Sequence, residues 1–233
     1  MSDQPRRRGA GRPRDPGLES RALAAALQVF GERGWSGMTI DEVATTAGVG
    51  KSSLYLRWKN KTELLADALG QVLLPPGAAT LHRDTEEEGS GGDDTAPEPS
   101  LRDFLITHAL WRAHLYLGPH RLAVLRFYVE TWALPGVFGE IRQHSITDWV
   151  LRERHRVDRA TRDGELPPGA SPVHLLDAIE GAVFVHALVT PPHLLDRVRS
   201  GLREYVERLV DDQLRAASTA PDPTPAAPPA THP

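Results

Sequence analysis

Residues 39–65 read TIDEVATTAGVGKSSLYLRWKNKTELL, and the interruption in the middle of this stretch decides the fold. Thr39 and Glu42 fit a capping box, in which the hydroxyl and the carboxylate each accept from the other's free backbone amide, so a helix is predicted to start here. Gly48 can take the left-handed conformation that ends a helix. The stretch therefore predicts one short helix, a tight glycine-containing turn and a second short helix.

The second short helix has an outer face made of groups that suit DNA. It is predicted from near Gly50 to about Trp58, and helical spacing turns Leu54 and Trp58 toward a small core. The side chains left outside are Lys51, Ser52, Ser53, Tyr55, Leu56 and Arg57. Hydroxyls, cations and an apolar group that can meet a thymine methyl are able to contact base edges and phosphates. The pattern predicts a helix-turn-helix, and an ordinary helical hairpin with a polar face is the alternative.

Further helices are predicted on both sides of this pair. Upstream, Asp15 can cap a helix that Gly34 ends. Downstream, Asn60 can cap a helix over residues 61–74. We therefore expect a three-helix DNA-binding domain at residues 15–60, followed by a connecting helix.

Residues 18–73 resemble the N-terminal domain of TetR family transcriptional regulators. The family pattern has a threonine opening the second helix, an A-G-V-S-K-like turn, a tyrosine and then an aromatic closing the third helix, and a lysine opening the fourth. This sequence supplies Thr39, Ala47-Gly48-Val49, Lys51, Tyr55, Trp58 and Lys61. It departs from the pattern at Gly50, where serine is frequent, and so lacks one cap and one phosphate contact.

The resemblance assigns roles to the exposed residues of this domain. It implies that Thr39, Tyr55 and Lys61 hold phosphates, and that the major groove is faced by Lys51, Ser52, Ser53 and Leu56. Lys61 also opens a helix, where the backbone amides favour an anion. Since the sequence suggests no structural use for this lysine, we expect it to contact a phosphate.

The N-terminal arm, residues 1–14, is rich in arginine and glycine and too polar to pack. Its Gly-Arg-Pro-Arg segment is predicted to form a narrow extended strip with Arg12 and Arg14 at the edges. Such strips suit the narrow minor groove of A·T-rich DNA, where the negative potential is enhanced. A disordered solubilising tail is the alternative.

Charge is unevenly distributed along the 233-residue chain, whose formal net charge is −4. Residues 1–74 hold 11 Lys and Arg against 8 Asp and Glu, whereas the remainder holds 16 against 23. A basic N-terminal part is what DNA binding requires. The chain contains no cysteine, which excludes disulfides and thiolate catalysis and suits a cytoplasmic location. We expect no membrane span, because no apolar run approaches the necessary length.

The rest of the chain predicts a second helical block between two flexible segments, so the fold class is all-α. The acidic linker is expected at residues 75–100, the helical ligand-binding and dimerisation domain at 101–215, and a disordered tail at 216–233. Large aromatics and histidines of this block suit an apolar ligand pocket as well as an ordinary core. The pocket candidates are His108, Trp111, Tyr128, Trp132, Trp149 and Phe184. The resemblance favours a ligand cavity in this block.

The last two helices predict a dimer interface. Alternating three- and four-residue spacing gives the final helix a coiled-coil-like seam, and small residues let the preceding helix approach a neighbour closely. The predicted interface consists of Gly181, Ala182, Leu195, Val198, Leu202, Tyr205 and Leu209. A four-helix-bundle homodimer is expected, and burial of the same residues within one subunit is the alternative.

These patterns favour a homodimeric regulator that binds double-stranded DNA. The resemblance implies a repressor, released from a palindromic operator by a small apolar or aromatic effector. No catalytic residues, metal ligands or cofactor are predicted, since the sequence has no nucleophile elbow, no phosphate loop and no helical histidine pair. A helical carrier or enzyme, or a protein-interaction module, is the alternative function.

Overall fold

The computed structural model describes residues 15–74, 99–167 and 169–219, which form helices and the turns that connect them. The side chains at positions 144, 145, 149 and 219 are not described. The helices are α1 (Leu18–Gly37), α2 (Ile40–Ala47), α3 (Lys51–Tyr55), α4 (Lys61–Leu73), α5 (Leu101–Leu117), α6 (Arg121–Ala133), α7 (Pro135–Arg142), α8 (Asp148–Arg162), α9 (Pro172–Val189) and α10 (Leu195–Thr219). A π-helical turn, Gln143–Thr147, joins α7 to α8, and a 3-10 turn, Pro192–Leu194, precedes α10.

The caps predicted at Thr39 and Asn60 are present, but the carboxylate of Glu42, predicted to complete a capping box, pairs with Arg33 at 3.2 Å instead. Thr39 Oγ1 accepts from the backbone amide of Glu42 at 3.2 Å, and Asn60 Oδ1 accepts from that of Glu63 at 2.9 Å. Gly48 ends α2 in the left-handed conformation, with φ of 66°. These contacts are local in sequence, which explains why the ends of α2 and the start of α4 could be predicted.

Helix α1 is regular only as far as Gly34, which has φ of 71° and ψ of 179° and breaks the helical geometry. The break lets three further residues form a turn that points away from the axis of the preceding helix. A side chain at position 34 would meet Arg126 Nη1 at 2.8 Å, so glycine is needed both for its backbone angle and for the space. The predicted end of the helix at Gly34 is therefore a kink within α1.

Helices α5, α6, α8, α9 and α10 build the C-terminal domain. Helix α5 packs against both α9 and α10, and α6 joins this domain to the N-terminal domain by packing along α1. Buried side chains from both domains form one continuous core. Phe138 of α7 lies within it, with its ring centroid 5.8 Å from that of Phe30 and 5.6 Å from that of Trp35. The two domains thus share a hydrophobic contact at the end of α1.

The helices of the C-terminal domain run from Leu101 to Thr219. Ser100, placed in the linker by the sequence, caps α5 by accepting from the amide of Asp103 at 3.2 Å. Helix α10 continues to Thr219, beyond the predicted boundary at residue 215. The arm at 1–14, most of the linker (75–98) and the last part of the tail (220–233) lie outside the described residues.

Helix α9 is the one segment of the described chain with the length and mean hydropathy of a membrane span. It also carries Glu180, which is ion-paired with His108 and Arg112 of α5. Such a pairing is typical of a core helix in a helical domain, because a buried charge requires a partner.

Candidate nucleic-acid interface

Helix α3 is anchored by two buried side chains and exposes the others. Leu54 is fully buried, and Trp58, just after the helix, is 4% exposed. The indole Nε1 of Trp58 donates to Asp67 Oδ2 of α4 at 2.7 Å, which fixes the end of α3 against α4. On the outer side Leu56 is 84% exposed and Tyr55 is 49% exposed. Leu56, the C-cap of this short helix, thus provides an apolar group that the protein's own core does not use.

The remaining predicted groove residues also lie at the surface. Lys51 and Ser52 are exposed, and Ser53 is half-buried. Lys51 Nζ lies 2.6 Å from a carboxylate oxygen of Asp41, and this hydrogen-bonded pairing raises the pKa of the lysine. The sequence alone did not identify Asp41 as its partner. Because the pair is exposed and weak, it can open when a phosphate approaches.

Lys61 has a structural role that could not be read from the sequence. Its Nζ donates to the backbone carbonyls of Trp35 at 2.8 Å and Met38 at 3.1 Å, and it lies 4.1 Å from the centre of the Trp35 ring. The interpretation that this lysine has no structural use is therefore wrong. An ammonium group has three donors, so these bonds leave one for a further acceptor.

Thr39 and Gly50 flank this surface. Thr39 is exposed, and its hydroxyl oxygen caps α2, which leaves its own proton free to be donated. Gly50 precedes α3 without any side-chain cap, as the departure from the family pattern predicts. Arg12 and Arg14 lie outside the described residues.

The predicted pocket residues of the C-terminal domain are only partly brought together. Tyr128 lines a cavity of about 240 Å³, and the ring of Phe184 lies 6.4 Å from that of Tyr128. Trp111 is half-buried and lines a different cavity, beside Val72. Trp132 is 78% exposed on α6, so its assignment to a pocket is wrong. The side chain of Trp149 lies outside the described part of the chain.

His108 belongs to a buried polar cluster rather than to the cavity wall. Its Nδ1 contacts Glu153 of α8, and its Nε2 lies 3.1 Å from Glu180 of α9. Burial alone would lower the pKa of His108, but the hydrogen bonds and charges of the two glutamates raise it above the ordinary value. Both ring nitrogens face carboxylates, which is the arrangement of a protonated imidazolium.

Arg112 extends this cluster. Its guanidinium contacts Glu180 through Nε, and its Nη2 donates to the hydroxyls of Tyr116 and Tyr128. Burial would raise the pKa of Glu180, but the hydrogen bond from His108 and the charge of Arg112 hold it below the ordinary value. The spacing of His108, Arg112 and Tyr116 along one face of α5 is the sequence signal that could have indicated the cluster.

Two residues of α6 hold the kinked end of α1. Glu130 accepts from the backbone amide of Trp35 with both carboxylate oxygens, at 3.0 and 3.3 Å. Arg126 Nε donates to the carbonyl of Gly31 at 3.1 Å. Arg126, Glu130 and the backbone groups of α1 that they bind are together named the α6–α1 clasp. It lies next to the carbonyls that receive Lys61, so the clasp connects the C-terminal domain to the helix-turn-helix.

The predicted dimer residues divide into two groups. Leu202 is 3% exposed and packs inside the subunit, so it is removed from the predicted interface. Gly181 is exposed, while the others are half-buried: Ala182, Leu195, Val198, Tyr205 and Leu209. The most exposed apolar residues of α9 were not among the predicted ones, and they are Val173, Val185, Leu188 and Val189. Val185, Leu188 and Val189 lie on one side of the last turns of α9 and form an apolar surface that nothing within the described subunit covers, whereas Val173 lies at the other end of the helix.

Comparisons with known proteins agree with this geometry. Residues 22–68 match the family of bacterial regulatory proteins of the TetR type. An uncharacterised HTH-type transcriptional regulator of Mycobacterium tuberculosis, Rv1556, is 26% identical over 225 residues, which cover 90% of this chain and 94% of the relative. The DNA-binding transcriptional repressor TetR of Mycobacteroides abscessus is 45% identical over 47 residues, or 20% of this chain and 25% of that protein.

Among solved structures, the fold is similar to that of MexZ, a repressor responsible for antibiotic resistance in Pseudomonas aeruginosa. The TM-score is 0.60 at 20% identity, and the match covers 89% of this chain and 98% of MexZ. The predicted all-α fold with an N-terminal helix-turn-helix is thus confirmed. Residues 22–68 thus form a DNA-binding domain of the TetR type, and over most of its length the chain is similar to HTH-type transcriptional regulators.

Proposed function

We propose that this regulator is a homodimeric repressor, released from a palindromic operator when a small molecule binds its C-terminal domain. The observation that carries the proposal is the position of α6, which lines the 240 Å³ cavity with Tyr128 and holds α1 with Arg126 and Glu130. One helix therefore contacts both the effector cavity and the DNA-binding domain. The repressors TetR of M. abscessus and MexZ support the direction of regulation.

In the proposed complex α3 lies in the major groove. The exposed face of α3 supports base contacts by Lys51, Ser52, Ser53 and Leu56, since these are the groups that reach beyond the backbone of the helix. Phosphates would be held by Thr39, Tyr55 and Lys61, and the arm residues Arg12 and Arg14 would enter the minor groove. The third donor of the Lys61 ammonium supports its phosphate contact.

The proposed dimer uses the apolar surface of α9 together with α10. Val185, Leu188 and Val189 are each more than half exposed, and Gly181 one turn earlier permits close helix approach. Tyr205 and Leu209 of α10 continue this surface and line a shallow groove next to Gly201. A two-fold packing of α9 and α10 would bury these side chains, which supports a four-helix interface between subunits.

Effector release requires that the ligand favour one arrangement of the two domains over the other. A ligand that shifts Tyr128 would displace α6, and the α6–α1 clasp would transmit this displacement to Trp35. Because Lys61 is bonded to the carbonyl of Trp35, the position of α4 and of the helix-turn-helix would follow. The distance between the two recognition helices of the dimer would change as a result.

Selection of bound sequences from a random duplex pool tests the proposal directly. We expect inverted half-sites whose centres are one helical turn apart or a small multiple of it, at about 34–36 Å per turn. Ser53→Ala and Leu56→Ala should alter base preference at particular positions, by about 1–3 kcal/mol for a good contact. Footprinting beside the protein's own gene then locates the natural site. A pool without half-site symmetry, or uniform weakening by both variants, would contradict the proposal.

A further inference from the structure

The cavity beside Tyr128 has a mixed wall that indicates what it binds. It lies between α5, α6, α8 and α9 and includes Ile146 of the π-helical turn. Its apolar side is formed by Ile146, Val150 and Leu176, and its polar side by Arg112, Tyr128, Glu153, Arg154, Asp177 and Glu180. A purely hydrocarbon ligand would leave this polar side without partners, at a cost for each unsatisfied group.

Arg112 has hydrogen-bonding capacity that the protein leaves unused. Its Nε is ion-paired with Glu180, and its Nη2 is hydrogen-bonded to the hydroxyls of Tyr116 and Tyr128. The other terminal nitrogen, Nη1, has no hydrogen-bond partner among the described residues, although the side chain is only 12% exposed. A guanidinium held in place on one edge thus offers its remaining donors to the cavity.

The phenol of Tyr128 provides a second unused donor at the same place. Its oxygen accepts from Arg112 Nη2 at 2.6 Å and from Tyr116 at 3.5 Å. Tyr116 has one hydroxyl proton, which Glu180 Oε2 at 3.4 Å can also accept, and no carboxylate or carbonyl of the described residues accepts the proton of Tyr128. Two donors, one from a guanidinium and one from a phenol, are therefore held side by side by their own hydrogen bond.

The charges around the cavity sum to zero when His108 is protonated. Arg112 and His108 are balanced by Glu153 and Glu180, so this cluster is neutral when His108 is protonated. Arg154 also lines the cavity and has no ion-pair partner among the described residues. Its charge is balanced by Asp177, which is exposed to solvent and therefore screened, so Arg154 can compensate the charge of an incoming anion.

We infer that this cavity binds a small organic carboxylate, with its oxygens accepting from Arg112 and Tyr128 and its apolar body against Ile146, Val150 and Leu176. Paired donors of this kind match the two oxygens of a carboxylate. The volume of about 240 Å³ lies below the range of roughly 300–1,000 Å³ that holds drug-sized ligands, so the ligand is smaller. If the proposed function holds, this carboxylate is the effector. The effector role rests on the proposed function, whereas the binding of a carboxylate in the cavity does not.

Titration calorimetry and thermal unfolding of the full chain without DNA test the inference. The probes are two matched sets: phenylacetate, phenylacetamide and phenethylamine, and hexanoate, hexanamide and hexylamine. We expect at least one carboxylate to bind more tightly than its amide and amine, by about tenfold or more, since hydrogen bonds to charged groups are the stronger ones. Tighter binding of the amines, or no saturable binding of either carboxylate at millimolar concentration by the folded protein, would overturn the inference.

Two variants identify the donors. Arg112→Gln should abolish the preference for the carboxylate, and Tyr128→Phe should reduce it about tenfold while retaining the ring that packs against Phe184. The phenylalanine variant decides the question if Arg112→Gln does not fold. Arg142→Gln is the matched control, because that arginine lies over the exposed Trp132 ring and not at the cavity. Equal carboxylate binding by Tyr128→Phe and the parent protein would contradict the assignment of the phenol.

A final titration with operator DNA separates the two proposals. A carboxylate that binds but leaves operator affinity unchanged would remove the effector role and leave the binding site in place. Release from the operator by an amine or a neutral compound, with no carboxylate binding, would refute the inference and leave the proposed repressor mechanism in place.

Discussion

Lys61 and Lys59 are separated by two positions and have very different surroundings. Lys61 bonds to two backbone carbonyls, whereas Lys59 is 88% exposed and pairs with Glu63 at 3.9 Å. We predict that Lys61→Ala flattens the plot of log operator affinity against log salt by about one unit, because one phosphate is no longer neutralised. It should also lower the melting temperature, because the carbonyls of Trp35 and Met38 are left without their donor.

Lys59→Ala is the matched control for this experiment. It removes one positive charge two positions before Lys61. The Lys59 ammonium makes no hydrogen bond to the described residues, so the melting temperature should stay unchanged. A Lys61→Ala protein with a lower melting temperature and an unaltered salt slope would assign the lysine to structure alone.

Exposure at the residue scale could be predicted from spacing, whereas the partners of the exposed groups could not. Leu54 and Trp58 are buried and Tyr55 and Leu56 exposed, as the helical period requires. Lys61, in contrast, meets carbonyls more than twenty positions earlier in the chain. Such a contact depends on how α1 lies against α4, which no local pattern specifies.

Among the elements, α5, α8 and α9 are joined by the buried cluster of His108, Glu153 and Glu180. The raised pKa of His108 means that its stabilising contribution is complete below the ordinary value of 6.5 and is lost as the pH rises through the folded value. The lowered pKa of Glu180 acts at the other end, since its contribution is lost as the pH falls through the folded value. We therefore expect a stability maximum between these two limits.

His108→Gln tests this expectation in urea unfolding measured across pH. The variant should lose about 3–5 kcal/mol near pH 6, because a buried carboxylate loses its charged partner. It should also lack the decline in stability at high pH that we expect of the parent protein. His155→Gln, an exposed histidine on the same helix as Glu153, is the control and should reproduce the parent profile. A decline at high pH that persists in His108→Gln would assign it to another group.

The contact between α1 and α6 carries a separate prediction. Glu130→Ala leaves the amide of Trp35 without its acceptor, which should cost about 1–3 kcal/mol in unfolding free energy. The α6–α1 clasp is proposed to transmit effector binding to the helix-turn-helix. The same variant should therefore reduce the factor by which the effector weakens operator affinity. Glu140→Ala, an exposed glutamate of α7, serves as the comparison. An unchanged ratio in a destabilised Glu130→Ala protein would limit the clasp to a structural role.

The elements themselves were predictable where their signals are local. Each helix end that was predicted correctly depends on a residue close to it in sequence, and these residues are Thr39, Asn60 and the left-handed Gly48. The clasp joins positions 95 residues apart, and the His108 cluster joins three helices. These contacts form only after the helices have packed, so His108 could be named from the sequence but its partners could not.

For the whole molecule, the apolar surface of α9 determines the oligomeric state that we propose. Val185→Asp places a charge in the middle of that surface, where dimerisation would have to desolvate it. We predict that this variant sediments as a monomer at concentrations where the parent protein is a dimer, and that it loses most of its operator affinity. Val129→Asp, at an exposed valine of α6, is the control and should remain dimeric.

A dimeric Val185→Asp protein would place the interface elsewhere. The sequence favours α10 as the principal seam because its periodicity is the clearer one. Part of that periodicity serves the subunit's own core, through Leu202, Val206 and Val210. Periodicity alone does not distinguish burial within one subunit from burial between two, which is why the prediction for Leu202 is wrong.

The position of Trp35 has an optical consequence. Its indole ring lies under the Lys61 ammonium, and its backbone amide is bound by Glu130. We expect the emission of Trp35 to change when this cation moves, and therefore to depend on the helix-turn-helix on one side and on α6 on the other. A protein that keeps Trp35 as its sole tryptophan would report DNA binding and domain movement from one intrinsic fluorophore, without a dye. Stopped-flow recordings of that signal would show in real time whether the movement of α6 precedes the loss of DNA or follows it.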